Sequence, residues 1–516
     1  MFPLGMNDAR AMTRRSLLAA AAGAAAGGLV RPGGAVAALS QAVAPTGVAE
    51  PVCFERWVGA LSPRATTVDL GRNADLVGLE WPAASPAAGL ELRAQRDDGS
   101  FSPWVPAGAH GHGPDESPPS ASLTGDPVWT GGGRTLQLRS SGVVGGLRLR
   151  LVDVSLGRGA RREALAAGAL ALQAALPLVG TALSAGAGEP PIIARRAWAR
   201  GVARPRVAPE YGAVEMAFVH HTENPNGYTP AEVPAMLRAI YAFHRYANGW
   251  NDIGYNFVLD LFGRIFEARA GGVDEPVVGA QAGGYNLVST GVAVLGSFSE
   301  VPISTAARQS LERLLAWKLS LHGVSAIGRV TVRVNPAGAR YSRFPAGAHV
   351  SLPHIAGHRD GDSTECPGNV LYGELAGVRR RVQVLAGRPA RATLSLVAGA
   401  SAASGVLSGT VTLLDGTPIA GAPVEIQQRN VSEKGELVDE QTLFQLMTGA
   451  GGEWSQPVAI VPGAARAEGI WLRALCPGSA TVPAAVSVPL RLARAASVTP
   501  QSAPAPTPQA AAPPAT

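Results

Sequence analysis

Apolar residues along this chain recur at two different periods, and the places where the period changes divide it into domains. Leu90-Glu91-Leu92-Arg93 and Leu147-Arg148-Leu149-Arg150-Leu151 alternate apolar with polar, as strands with one buried face must. Val233, Met236, Leu237, Ile240, Tyr241 and His244 then recur at steps of three and four, the spacing of a helix with one face on a core. Alternation returns in Gly409-Thr410-Val411-Thr412-Leu413 and Pro423-Val424-Glu425-Ile426. No single core serves all three stretches. A length of 516 residues agrees, since roughly 150 residues per domain suggests about three units. With 63 Gly, 41 Pro and 16% charged residues, the chain has apolar content for packed cores and many turns between short strands.

These changes predict a mixed central sheet with packed helices, an α/β (α+β-like) domain over 190–384, flanked by two all-β sandwich domains. The first sandwich is expected over 48–156, with a turn at Asp97-Asp98-Gly99. The second, immunoglobulin-like or prealbumin-like, is expected over 386–496, followed by a disordered Pro/Ala tail over 497–516. An Ala/Leu-rich stretch over 157–189 is interrupted by Gly168, Gly180 and Gly186, and it reads as a helical linker and not as a membrane anchor. In the central domain, Thr229-Pro230-Ala231-Glu232 opens a helix with a capping residue, a proline and a Glu three residues after the cap. Gly254–Asp260 and Arg264–Arg269 read as two joined strands, Val292–Leu295 as a buried strand, and Thr305–Leu321 as a second helix.

Near the start, Thr13-Arg14-Arg15-Ser16-Leu17-Leu18 precedes an apolar Ala/Gly stretch, and Ala35-Val36-Ala37 suits a cleavage site. Residues 1–37 therefore read as a twin-arginine export signal, the alternative being an ordinary secretory signal. Both predict export. The net charge of +6 includes +3 from that segment, so the remainder is mildly basic, which suits an anionic polymer and does not point to nucleic acid. Cys53, Cys366 and Cys476 are too few for a disulfide framework, so at least one needs another explanation.

The informative histidines sit in two short segments, Phe218-Val219-His220-His221-Thr222 and Gly357-His358-Arg359-Asp360, the second followed by Thr364-Glu365-Cys366-Pro367-Gly368. Two imidazoles and one thiolate are three of the four ligands of a tetrahedral zinc, and a fourth position left to water distinguishes a catalytic site from a closed structural one. Two histidines and a buried cysteine also occur together without a metal, so the neighbouring sequence decides.

That neighbouring sequence carries a resemblance. Val219-His220-His221-Thr222, Trp250-Asn251-Asp252-Ile253-Gly254-Tyr255-Asn256-Phe257, Gly263-Arg264-Ile265-Phe266-Glu267, Gly357-His358-Arg359-Asp360 and Thr364-Glu365-Cys366-Pro367-Gly368 resemble the ordered signature blocks of type 2 N-acetylmuramoyl-L-alanine amidases and peptidoglycan recognition proteins. The resemblance implies Zn2+ held by His220, His358 and Cys366, with Tyr255 and Thr364 as catalytic residues, the latter at the developing oxyanion. It implies an exported enzyme that hydrolyses the amide between N-acetylmuramic acid and L-alanine, with peptidoglycan as partner and no stable membrane insertion. The alternative it leaves is a non-catalytic peptidoglycan receptor, a form that typically lacks the cysteine ligand.

His221, beside His220 on a strand, should face the other way and is expected to be structural or to line a substrate groove, not to bind metal. The block Gly279-Ala280-Gln281-Ala282-Gly283-Gly284-Tyr285-Asn286 resembles a groove-lining segment in which relatives commonly carry His at the position of Gln281, so Gln281 and Asn286 are expected as substrate-binding residues. Ala270-Gly271 follows Arg269 where many animal relatives carry a pair that discriminates stem peptides, so peptide preference does not transfer. His244, on the apolar helical face, reads as a packed core histidine. The flanking domains carry no motif tied to chemistry and are expected to target or space the enzyme on the wall.

Overall fold

Alternating leucines put the N-terminal strands into a single antiparallel sheet of seven strands: β1 (Val52–Leu61), β2 (Thr66–Pro82), β3 (Glu91–Ala94), β4 (Val105–Pro106), β5 (Ser122–Thr124), β6 (Val128–Arg139) and β7 (Val144–Asp153). Their order is β1-β7-β2-β6-β3-β4, with β5 on β2. Where two facing sheets are expected from sequence, all seven strands belong to one hydrogen-bonded sheet. The reason lies in β2, whose long run pairs with β6, β7 and β5 along different parts of its length, with register shifts between Asp69 and Ala74 and between Ala74 and Leu76. Leu147, Leu149 and Leu151 fall on one buried face with Leu79, Trp81, Leu92 and Leu138.

A computed structural model provides this architecture for residues 50–85, 89–107, 122–154, 186–398, 404–431, 437–462, 469–492 and 496–500. The export-signal expectation over 1–37, residues 157–185 of the expected linker and residues 501–516 of the expected tail lie outside the described residues. Among the described residues no helix is long and apolar enough to cross a membrane.

The central domain carries β8 (Ile192–Ile193), α1 (Arg195–Ala199), β9 (Met216–His221), α2 (Val233–Ala242), β10 (Phe257–Leu259), β11 (Ile265–Glu267), β12 (Ser289–Val294), α3 (Thr305–Leu321), β13 (Arg329–Arg333), β14 (His349–Pro353), β15 (Ile355–Gly357), α4 (His358–Gly361) and α5 (Asn369–Ala386). Six of the strands form a mixed sheet in the order β15-β9-β12-β10-β11-β8. β15, β9, β12 and β10 run parallel, and β10 and β11 form an antiparallel hairpin. The parallel strands are buried throughout, as a sheet covered on both faces requires. One face packs on α3 and α5 through Val219, Val292, Leu311, Leu315, Leu371 and Val378. The other packs on α2.

α3 has the expected bounds, and Ser304 caps it by accepting the Ala307 N–H at 3.0 Å. α2 begins three residues later than the Pro230 start read from sequence. Glu232 nonetheless reaches back as a cap, its carboxylate accepting both the N–H and the hydroxyl of Thr229 at 2.7 Å. Beyond Ala242 the helix widens into a π turn over Phe243–Ala247, with the Asn248 N–H bonded to the Phe243 carbonyl.

The C-terminal domain comprises β16 (Ala390–Ala392), β17 (Ser395–Ala398), β18 (Ser404–Leu413), β19 (Pro423–Val431), β20 (Leu437–Met447), β21 (Glu453–Pro462), β22 (Gly469–Cys476), β23 (Ala485–Val486), β24 (Leu490–Arg491) and β25 (Ala496–Pro500). They form two five-stranded sheets, one of β16, β17, β18, β21 and β25, the other of β19, β20, β22, β23 and β24. Val411, Trp454 and Val458 from the first share a core with Val424, Ile426, Leu472 and Ala474 from the second. β25 pairs with β21 from Ala496 to Pro500, which corrects the expectation that the tail begins at 497: those residues complete a sheet edge.

Candidate metal centre

Strand parity and register bring the site together. In β9, Phe218 and His220 point to one side, toward Tyr285 and His358, while Val219 and His221 point to the other. β15 runs parallel beside β9 with Gly357 opposite Val219, so the next residue, His358, stands beside His220. Their ring centroids are 4.5 Å apart. Cys366 arrives from the loop after α4, which folds back on that helix: its carbonyl accepts the Arg359 N–H at 2.9 Å, and its own N–H is accepted by Thr364 Oγ1 at 3.2 Å.

His220, His358 and Cys366 each offer one donor atom, and the three atoms lie within 4.8 Å of one another. All three residues are buried. Cys366 Sγ is 3.8 Å from His220 Nδ1 and accepts the His221 N–H at 3.4 Å. Burial holds His220 well below the ordinary imidazole value, with His358 adding to the effect, and it pushes His358 down to about 3, helped by His221. Both rings therefore stay neutral and able to ligate. Burial also pushes the Cys366 thiol well up, a cost that a bound cation reverses by favouring the thiolate. Two neutral imidazoles and one thiol converging on one point fit a cation of borderline softness and leave room for a fourth ligand.

Each imidazole is oriented from behind. His358 Nε2 meets Asp362 Oδ2 at 3.0 Å, and that same oxygen accepts the Gly283 N–H at 2.9 Å. His220 Nε2 meets Gln281 Oε1 at 2.5 Å. Such partners fix ring orientation and tautomer.

Tyr255 stands beside the cluster, its ring centroid 5.3 Å from that of His220. Its loop is fastened by His244, whose Nδ1 accepts the Gly254 N–H at 3.1 Å while its ring lies 4.4 Å from that of Trp250. His244 is thus the packed core histidine expected from sequence, 1% exposed. Burial raises the Tyr255 phenol well above its ordinary value, with Cys366 contributing, so it remains a proton donor. Thr364 is half-buried, and its hydroxyl oxygen accepts the Cys366 N–H, which leaves its proton to donate.

Gln281 and Asn286, expected to bind substrate, are placed differently, and His221 takes the structural one of its two expected places. His221 is 4% exposed, with Nε2 2.7 Å from Glu223 Oε1. Asn286, 1% exposed, accepts the backbone N–H groups of Gln281 and Ala282 at 2.8 and 3.1 Å. Gln281 is fully buried against His220. None of the three lines an open groove. A family motif locates these positions along the chain but does not say which way a side chain faces. Asp362 and Glu223, absent from the sequence reading, carry a weak signal: one lies four residues after His358, the other two after His221.

Comparison with known proteins gives three findings. A family model described as N-acetylmuramoyl-L-alanine amidase matches residues 210–369. Among curated relatives, peptidoglycan-recognition protein SC2 of Drosophila simulans is 30% identical over 159 residues, spanning 31% of this chain and 71% of that protein. Peptidoglycan-recognition protein LE of Drosophila melanogaster is 28% identical over 185 residues, 36% of this chain and 45% of that one. Among solved structures, an endolysin N-acetylmuramoyl-L-alanine amidase from Clostridium intestinale is 23% identical, covering 37% of this chain and 97% of its own, with a TM-score of 0.27.

Proposed function

From the premise that the chain belongs to the family of type 2 N-acetylmuramoyl-L-alanine amidases and peptidoglycan recognition proteins, we propose that its central domain hydrolyses the amide between N-acetylmuramic acid and L-alanine in peptidoglycan. The observation that carries this reading is the third donor. Cys366 completes a set with His220 and His358 whose donor atoms lie within 4.8 Å, and a receptor that only binds peptidoglycan has no chemical use for a buried thiol there.

In this reading His220, His358 and Cys366 hold zinc. When bound, zinc supplies Lewis acidity to the amide carbonyl and to the attacking water. The chain's own residues do the rest. Asp362 and Gln281 hold the two imidazoles, and burial keeps them neutral. Tyr255 keeps its phenol proton and donates a hydrogen bond where oxygen charge develops, and the Thr364 hydroxyl donates from the rim. Water adds to the carbonyl carbon, the C–N bond breaks, and the products are a lactyl carboxylate on the sugar and the free amine of alanine. An exported location follows from the substrate, and the double-arginine segment Thr13–Leu18 accords with it.

The test is metal analysis of the full-length protein together with digestion of muropeptides by the native chain and by His358→Ala. We expect about one zinc per native chain and release of N-terminal alanine, with both lost in the variant. Zinc-loaded native protein that binds peptidoglycan yet releases no alanine would favour recognition without hydrolysis.

A further inference from the structure

Gln281 is gripped at both ends of its amide, and the grip has a direction. Oε1 lies 2.5 Å from His220 Nε2, and the amide nitrogen donates to Ser289 Oγ at 2.9 Å. The Ser289 hydroxyl in turn donates to the Tyr285 carbonyl oxygen at 2.9 Å. A carbonyl oxygen can only accept, so the single proton of Ser289 points to Tyr285. Its oxygen must then accept from the amide nitrogen of Gln281, which turns the amide oxygen toward His220. Two acceptors cannot face each other at that distance, so His220 carries its proton on Nε2. Nδ1 of the neutral ring then carries no proton, and Nδ1 is the atom 3.8 Å from Cys366 Sγ.

The backbone is built to hold this amide in place. Asn286 Oδ1 pins the N–H groups of Gln281 and Ala282. Gly291, on β12, lies beneath the side chain: a Cβ there would stand 2.4 Å from Gln281 Cγ and 2.6 Å from its Cδ. Glycine gives the amide its passage across the strand.

We propose that Gln281 is a positioning residue for the metal centre, reading the direction of a backbone carbonyl through Ser289 and fixing His220 in the Nε2–H tautomer that presents Nδ1 to the ion. The inference rests on the metal-binding part of the proposed function and not on hydrolysis. Because an amide has no titratable proton in the working range, the presentation of Nδ1 does not change with pH through this partner.

Two measurements on the full-length protein test it. In metal-free chain labelled with 15N-histidine, the His220 signal, identified by its loss in His220→Gln, should show the proton on Nε2; a proton on Nδ1 overturns the proposal. In zinc competition against a chromophoric chelator, Gln281→Leu should bind about 10–100-fold more weakly than the native chain. Gln281→Glu, which keeps an acceptor of the same size toward His220 once the Ser289 hydroxyl turns to donate to its second oxygen, should stay within a few fold of native, and Ser289→Ala, which loosens the amide without removing it, should fall between. Equal affinity of Gln281→Leu and the native chain overturns the proposal. So does equal weakness of the Leu and Glu variants, which would mark a packing role. A native chain that shows this affinity pattern but releases no alanine from peptidoglycan sinks the hydrolase reading and supports the Gln281 assignment.

Discussion

Asp362 bears on the candidate metal site through one oxygen that serves two partners, His358 Nε2 and the Gly283 N–H. It ties His358 to the same segment that carries Gln281. In Asp362→Ala the His358 ring is free to turn, and a buried backbone N–H is left without its acceptor. Zinc affinity should fall about 10–100-fold and stability by about 1–3 kcal/mol; chelator competition and urea denaturation read the two separately, and unchanged affinity would show that Asp362 serves only the backbone. The cluster of His220, His358 and Cys366 was legible because each sits in a short block with a fixed neighbourhood, and strand parity places His221 on the side away from His220. Gln281 was not legible in the same way. Ser289, Tyr285 and Gly291 are near it in sequence, but its partner His220 comes from a distant segment, set beside Ala293 by the parallel pairing of β12 with β9, and no local pattern around Gln281 announces that pairing.

At the scale of elements, α2 shows what periodicity alone misses. The stripe from Val233 to His244 marks the face that packs on the central sheet, yet Ala235, Arg238, Ala239, Ala242 and Phe243 on its other sides are buried as well. The N-terminal sheet covers them: Leu76, Trp129 and Val152 join the same apolar cluster as α2. A helix whose stripe places one face on a core is thus enclosed between two sheets, and the stripe could not say so because the cover comes from a different domain. The sheet comes close at Gly78 on β2, where a Cβ would lie 2.2 Å from Phe243 Cζ. Gly78→Ala should therefore cost about 1–3 kcal/mol by overpacking, and Phe243→Ala about 3–5 kcal/mol by leaving a cavity. The two costs are coupled. In the Phe243→Ala background the added methyl meets empty space, so the penalty of Gly78→Ala should vanish or reverse; simple additivity in a thermal or urea denaturation cycle would refute this account of the contact.

Across the whole molecule, both flanking domains are fastened to the central one by buried polar groups, and the two fastenings respond differently to perturbation. On the C-terminal side, Arg473 meets Asp274 at 2.6 Å and Glu275 at 2.7 Å, and Arg429 also contacts Glu275. Arg473 and Glu275 are 3% and 2% exposed, so Arg473→Met removes one of the two guanidinium partners of the buried Glu275 carboxylate, leaving Arg429, and should cost about 1–3 kcal/mol in urea denaturation. On the N-terminal side Asn224 Oδ1 accepts the Trp129 N–H at 3.0 Å across the boundary, and a buried carboxyl of the N-terminal sheet lies within the electrostatic reach of Arg238 on α2. Asp75 on β2 is 2% exposed and accepts the Val154 N–H at 2.7 Å. Burial raises it to about 6, with Asp153 adding and Arg238 of α2 opposing. The unfolded carboxyl loses its proton near pH 4, whereas the folded one keeps it until about pH 6. Between those values the folded state binds more protons, so this group's contribution to stability falls as pH rises and levels off above pH 6, by on the order of 3 kcal/mol in all. Asp75→Asn keeps an oxygen for the Val154 N–H and removes the charge. The variant should gain on the native chain steadily from pH 4 to pH 6 and hold a constant advantage above it. A stability difference between the two that stays flat over that window would mean that Asp75 is not held protonated at the domain boundary.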